Sequence, residues 1–282
     1  KIDSDAQRAG CALRRKDLAD FRTRVREPAT ATYRGATIHT APGLSAGPTL
    51  LDALRLLEAH DLGLSPDAAT YLALAKSLFE AYETRFATMG EVSQAPSSTT
   101  NFSVIDGDGN MVVVTQTLMS TFGSMVRLPE TGVILNNGML WFDPVPGQRN
   151  SIAPGVRPLS NMAPTVVLRD AAPDFALGAS GGRRIFPALF QLISFIHDCG
   201  MNLDTAFRQP RIDVSGGPAV TVDPRLGDDI LDALATRHPT IIEQSGVRPT
   251  SFATSNAVMR DKAGENSAMV HIPTPWPKVA TA

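Results

Sequence analysis

The stretch Thr99-Thr-Asn-Phe-Ser-Val-Ile-Asp-Gly-Asp-Gly-Asn-Met-Val-Val-Val-Thr-Gln-Thr-Leu118 holds two runs rich in β-branched residues, 101–106 and 111–118, separated by Gly-Asp-Gly-Asn. Glycine and asparagine supply the positive φ that a tight reversal demands, so the stretch predicts a β-hairpin. Just before it, Gln94-Ala-Pro-Ser-Ser98 is a linker of small and polar residues, and the character of the chain changes there. This is the best internal boundary.

Upstream of the boundary the chain reads as mostly helical. Leu50, Leu51, Leu54 and Leu57 recur at helical spacing, and a second helix is expected between Ser65 as N-cap, with Pro66 at its first position, and Gly90 beyond its end. The Thr-rich segment 33–42 suits a short strand and a turn. Downstream, strands are expected at 132–135, 164–169 and 174–177, then a helix over 184–199 that Gly200 ends. Short strands near Ile212 and Val220, a helix over 228–235, and strands at 240–243 and 252–260 follow. Strands in succession with helices before and after predict a layered α/β (α+β) protein rather than a doubly wound one.

Composition narrows the function classes. The 282 residues carry 43% hydrophobic content, enough for a sizeable core. With 26 Lys+Arg against 28 Asp+Glu and no basic run, neither a nucleic acid nor a membrane surface is expected as a partner. No apolar run approaches the roughly 18 residues of a membrane span. Cys11 and Cys199 are far apart and the five histidines lack metal-ligand spacing, so neither a disulfide framework nor a metal site is expected. A metal-free and cofactor-free protein acting on small molecules is the expectation. The chain opens on Lys with no targeting signal in view, which reads as a fragment or processed product of the cytoplasm or periplasm.

Three local patterns invite chemistry. Asp106-Gly-Asp-Gly-Asn110 imitates the start of a calcium loop, but Met111 and Thr117 stand where glycine and glutamate are required, and a polar hairpin turn accounts for it. Gly178-Ala-Ser-Gly-Gly182 matches a nucleophile elbow, with Asp213 and His238 or His271 as nominal partners of Ser180. An elbow needs a parallel sheet, however, and a Gly-rich turn exposing N–H groups at a helix start is the plainer reading. The hydroxyl cluster from Ser97 to Ser103 most simply begins a strand. A threonine freed at a new chain terminus is different, because its own α-amine can serve as the base.

Taken in order, several blocks resemble the γ-glutamyltransferase family, whose members are N-terminal-nucleophile hydrolases. Residues 99–118 are similar to the start of that family's small subunit. Agreement continues through Gly132-Val-Ile-Leu-Asn-Asn137, Pro154-Gly-Val-Arg-Pro-Leu-Ser160, Met162-Ala-Pro-Thr165, 178–184, Gly200-Met-Asn-Leu-Asp204 and 206–211. Residues 13–20, 33–35 and the helix near Leu50 look like the end of the large subunit.

The resemblance implies a four-layer αββα sandwich and a zymogen that cleaves itself between Ser98 and Thr99. It further implies a heterodimer of large and small subunits from one precursor, with further oligomerisation open. Residues 1–98 would be the end of the large subunit, lacking its N-terminal portion, and 99–282 the small one, together forming one structural domain. Thr99 falls on the nucleophile, Thr117 on a threonine hydrogen-bonded to it, and Gly181 and Gly182 on the pair whose amides form the oxyanion hole. Ser160 and Asn161 fall on a serine pair near the substrate carboxylate.

Departures from the family bear on the substrate. Met119 stands in place of an Asn, Gly138 of a Gln or Glu, and Trp141 of an Asp, all of which grip glutamate's charged ends in the family. Asn101 replaces a histidine. The expected activity is therefore an amidohydrolase or acyltransferase forming an acyl-threonine, with an acyl group other than γ-glutamyl. A true glutathione hydrolase, and an inactive member with a binding role, stay open as alternatives.

Overall fold

In the computed structural model, which describes residues 1–91, 98–244, 251–273, 275 and 277–281, the expected hairpin is present and longer than its β-branched runs. In chain order the elements are α1 (Ile2–Arg8), α2 (Arg15–Asp20), β1 (Ala29–Tyr33), β2 (Ala36–Thr40), α3 (Gly47–Leu57) and α4 (Ala68–Met89). The hairpin follows as β3 (Ser98–Ile105) and β4 (Met111–Met119), then β5 (Thr165–Arg169), β6 (Ala172–Ser180), α5 (Ile185–His197) and α6 (Leu203–Arg208). Last come β7 (Ile212–Asp213), β8 (Val220–Val222), α7 (Asp228–Arg237), β9 (Thr240–Ile242), β10 (Thr254–Arg260) and β11 (Asn266–Val270). Apart from Ser98, the linker 94–98 lies outside the described residues.

Strands from both sides of that linker share one six-stranded sheet, ordered β1-β2-β5-β6-β10-β11 and antiparallel throughout. Alternation sorts its faces. Phe175, Leu177 and Ala179 of β6 join a core with Phe186, Leu189, Phe190 and Ile193 of α5. All residues from Ile185 to Ile196 are buried, as expected of a helix covered on every side. Ala176 and Gly178 point the other way, and there the β3–β4 hairpin lies across β6 and β10. The layers are thus helices, sheet and hairpin. The hairpin's outer face carries exposed Phe102, Val104 and Val112. Among the described residues no second helical layer covers that face, so the fourth layer of the expected sandwich stays an expectation.

Three readings change. Asp67, not Ser65, caps α4: its carboxylate accepts the Thr70 N–H at 2.8 Å and the Thr70 hydroxyl at 2.9 Å. Segment 33–42 is half of a hairpin, β1–β2, turned by Arg34 and Gly35 at positive φ. Residues 132–135 form no strand, only an isolated bridge between Arg127 and Ile134. The expected polar turn at 106–110 is closed by Asp106, whose carboxylate accepts the Asn110 side-chain amide and the N–H groups of Asn110 and Asp108, and these bonds hold its pKa below the usual range. Among the described residues no cluster suits a metal ion, and no helix is long and apolar enough to cross a membrane. Cys11 and Cys199 are free thiols.

Candidate active site at the start of the central hairpin

The hairpin's register is set by its turn, and counting outward from Asp108 brings Thr99 opposite Thr117. The ladder is irregular there: Ser98 pairs with Met119 and Thr99 with Thr117, so Leu118 is an extra residue facing the Ser98–Thr99 peptide. A bulge of this kind re-aims side chains at a strand end. Met119, wholly buried, closes it with φ of 80°, a left-handed conformation uncommon outside glycine and asparagine. The Thr117 hydroxyl accepts the Met119 N–H at 2.8 Å and donates its one proton to the Ser98 carbonyl oxygen, also at 2.8 Å.

Asn101 fixes how the hairpin lies on the sheet. Its amide nitrogen donates to the Val114 carbonyl and the Thr115 hydroxyl, and its amide oxygen accepts from Asn256 at 2.6 Å. Asn256 accepts in turn from Ser103 at 2.7 Å. A Cβ on Gly178 would overlap the Asn101 amide, so glycine is required for this approach. At the hairpin's other end the Asp106 and Gly107 carbonyls take hydrogen bonds from Asn266 and Arg260. The first residues of β3 therefore lie toward the end of β6, where Ser180 gives way to Gly181 and Gly182 at φ of 149° and 61°. These glycines open a short 3-10 turn that leads into α5, a Gly-rich turn at a helix start. Ser180 ends a strand whose neighbours, β5 and β10, are both antiparallel, so the parallel sheet an elbow needs is missing there.

The remaining expected site residues are held by side chains that bridge loops. Ser160 donates its hydroxyl to the Leu44 carbonyl at 3.2 Å, and both Ser160 and Asn161 are buried against Arg85. The Arg85 guanidinium, pushed down to about 10 by burial, donates to the Ser45, Thr49, Ser160 and Asn161 oxygens. Gly138 and Trp141 bound a 3-10 turn, with the Trp141 ring carbons 3.4 Å from where a Cβ on Gly138 would stand. Asn137 joins this turn to the end of the hairpin, its N–H donating to the Leu118 carbonyl and its amide pairing with Ser120.

Sequence reasoning missed Asn150. Buried in an irregular loop, it donates to the Trp141 carbonyl at 2.6 Å and the Glu91 carbonyl at 2.8 Å, and accepts the Leu159 N–H at 2.9 Å. One amide thus ties together the Trp141 turn, the Ser160 loop and the last described residue before the linker. Arg183, next to Gly182, reaches the same place, 3.4 Å from the Glu91 carboxylate. Arg85 was missed too, although it continues the buried stripe Leu74, Leu78 and Tyr82 on α4, whereas Asn150 left no periodic signal.

A layered α+β chain with a threonine pair facing across a bulged hairpin start defines a structural class, and the comparisons supply the family. The family model described as Gamma-glutamyltranspeptidase matches residues 1–96 and 74–271. The chain is 32% identical over 277 residues to the Acylase ACY 1 proenzyme of Pseudomonas sp. (strain SE83), covering 84% of this chain and 50% of that protein. It is 30% identical over 264 residues to the Glutathione hydrolase proenzyme of Escherichia coli (strain K12), covering 75% and 46%. The cephalosporin acylase structure from Bacillus halodurans superposes with a TM-score of 0.84 at 24% identity, over 97% of this chain and 56% of that one, which extends the agreement of fold. The γ-glutamyltranspeptidase of Pseudomonas nitroreducens complexed with L-DON gives a TM-score of 0.54 at 28% identity, over 65% of this chain and 98% of that one. This chain belongs to the γ-glutamyltranspeptidase family. It spans about half the length of the curated relatives it matches.

Proposed function

We propose that this chain is the catalytic part of a threonine N-terminal-nucleophile amidohydrolase or acyltransferase that cuts its own chain before Thr99. The observation that carries the reading is the Thr117 hydroxyl on the Ser98 carbonyl oxygen, at a bulge beside Thr99. In the first reaction the Thr99 Oγ adds to the Ser98 carbonyl carbon, the C–N bond breaks with its proton going to nitrogen, and water hydrolyses the resulting ester. That leaves Ser98 as a carboxylate and Thr99 with a free α-amine. In the second, this amine takes the Oγ proton while Oγ adds to a substrate amide carbonyl. The oxyanion faces the backbone N–H groups of Gly181 and Gly182, the C–N bond breaks as the Thr99 ammonium passes its extra proton to the departing amine, and water or an acceptor amine releases the acyl group.

Two subunits follow from such a cut. Residues 99–282 are 184 of 282, about 65% of the chain, and a match of that size, 65%, to nearly the whole of a Pseudomonas nitroreducens chain supports the division. The Acylase ACY 1 and Glutathione hydrolase relatives are both described as proenzymes, which supports processing into a heterodimer whose halves share one sheet.

The acyl group is an uncharged or singly charged one rather than γ-glutamyl. Met119, Gly138 and Trp141 offer neither a carboxylate nor an amide to a bound amino-acid head group, and a charged group buried without partners costs several kcal/mol. Similarity to an acylase supports this choice, while similarity to a glutathione hydrolase keeps γ-glutamyl amides in the test. Intact-mass measurement of the precursor, with Thr99→Ala as the control, reads the cut at Ser98–Thr99. An uncut wild-type precursor overturns the mechanism. Turnover of a panel of γ-glutamyl, glutaryl and oxamate amides then reads the acyl group.

A further inference from the structure

Away from the threonine pair, the end of α6, the segments just before β7 and just after β8, Phe252 and the segment after β11 line a cavity of about 100 Å³. Arg211 lines it and is buried. Its Nη2 donates to the Ala253 carbonyl at 3.1 Å and meets the His271 Nδ1 at 2.9 Å, while its Nη1 has no hydrogen-bond partner. An unpaired guanidinium nitrogen removed from water is costly, and a buried cation normally has a counter-ion.

Of the arginines that line the cavity, Arg211 alone makes no ion pair among the described residues. Arg225 clasps Asp223 through two nitrogens, and Arg208 is paired with Asp204. His271 is neutral, its pKa pushed down to about 3 by burial and by Arg211. Arg211, lowered to about 10 by burial, is still protonated at neutral pH; the carboxylates of Asp213 and Asp223 act on it, yet it forms no ion pair among the described residues. Phe207, Phe252, Ile272 and Pro273 supply apolar walls.

We propose that this cavity binds a small monocarboxylate, with its oxygens on the Arg211 guanidinium and a short aliphatic tail against Phe252 and Ile272. A guanidinium presents paired donors that match a carboxylate, and the partnerless Nη1 leaves one of them open. The cavity also adjoins the Gly181 turn: the Ala253 Cα lies 3.0 Å from where a Cβ on Gly181 would stand. A bound carboxylate would hold Arg211, and through the Ala253 carbonyl would brace that turn.

The test is thermal unfolding of the intact protein in propionate, phosphate and chloride at matched ionic strength. Propionate is expected to raise the melting temperature saturably by several degrees at roughly hundredfold excess over Kd, as single-site linkage requires. Arg211→Met is expected to abolish that dependence. Should that variant fail to fold, Arg225→Gln, altered at a half-exposed side chain, is expected to shift the propionate midpoint roughly tenfold upward. The assignment is overturned by a propionate response no larger than that of chloride, or by a tighter response to phosphate. An unchanged propionate midpoint in Arg225→Gln, or persistence of the propionate response in Arg211→Met, overturns it equally.

Discussion

The Thr117 hydroxyl donates to the Ser98 carbonyl oxygen at 2.8 Å and accepts the Met119 N–H at 2.8 Å. In the proposed self-cleavage that carbonyl oxygen is the one on which negative charge would develop as Thr99 attacks. Thr117→Val, which removes the donor but keeps the shape, should slow cleavage of the precursor on the order of 10²-fold. Thr117→Ser should retain most of it. The check is the time course of subunit appearance on a denaturing gel; equal rates for Thr117→Val and wild type would remove Thr117 from the mechanism.

Substrate preference should respond to Gly138 and Trp141 together. A Cβ at Gly138 crowds the Asn136 Oδ1 at 3.1 Å and touches the Trp141 ring at 3.4 Å, so a Gln at this position packs directly against the ring. Trp141→Asp frees that space and adds a carboxylate for an ammonium group. The double variant should gain γ-glutamyl turnover beyond the sum of the single changes, by about 1 kcal/mol of coupling in log kcat/KM. Additive effects would show that the two positions do not share the acyl pocket.

Asn150 should matter more to the site than an irregular loop suggests. Asn150→Ala strands the Glu91 and Trp141 carbonyls and the Leu159 N–H, with an expected loss of about 3 kcal/mol in stability. Asn150→Asp should lose more, because a carboxylate then faces two carbonyl oxygens. Urea denaturation reads both. A loss below about 0.5 kcal/mol for either would mean these bonds are replaced by water.

How much of this was legible follows from where the bonds run. Within 99–118 everything is local: β-branched runs and one turn determine the strands, and the turn's centre at Asp108 determines that Thr99 faces Thr117. The α4 cap was misjudged because Ser65, Pro66 and Asp67 are all good helix starters, and only the bonds to Thr70 pick Asp67. Residues 120–163 resisted reading for a different reason. They are held by bonds between distant segments, such as Ser124 to the Leu135 carbonyl and Asn150 to Glu91, and such bonds leave no periodicity. Asn101 lies between: its departure from the family's histidine was visible, but its bearing on Gly178 and Asn256 needed the layers to be stacked.

That stacking yields a paired prediction. Gly178→Ala inserts a methyl group into the Asn101 amide and should destabilise the protein by about 1–3 kcal/mol, with the hairpin pushed off β6. Adding Asn101→Ala should recover part of that loss, although Asn101→Ala alone is destabilising. Non-additivity in thermal unfolding is the signature, and strict additivity would place the strain elsewhere.

Asp213 provides the pH test. It is buried beside Ser215, and burial raises its carboxyl to about 6. The folded state then binds more protons than the unfolded state between about pH 4, the ordinary carboxylate value, and pH 6. Stability contributed by this group is present below that window and falls across it as pH rises, by about 3 kcal/mol in all. Asp213→Asn removes the titration while keeping the shape, so the wild-type curve should drop relative to the variant's between pH 4 and 6 and run parallel above it. Denaturant midpoints from pH 3.5 to 8 measure the difference. Curves that stay parallel through the whole range would mean that Asp213 ionises in the fold as easily as in the unfolded chain, with Arg184 and Arg211 offsetting its burial.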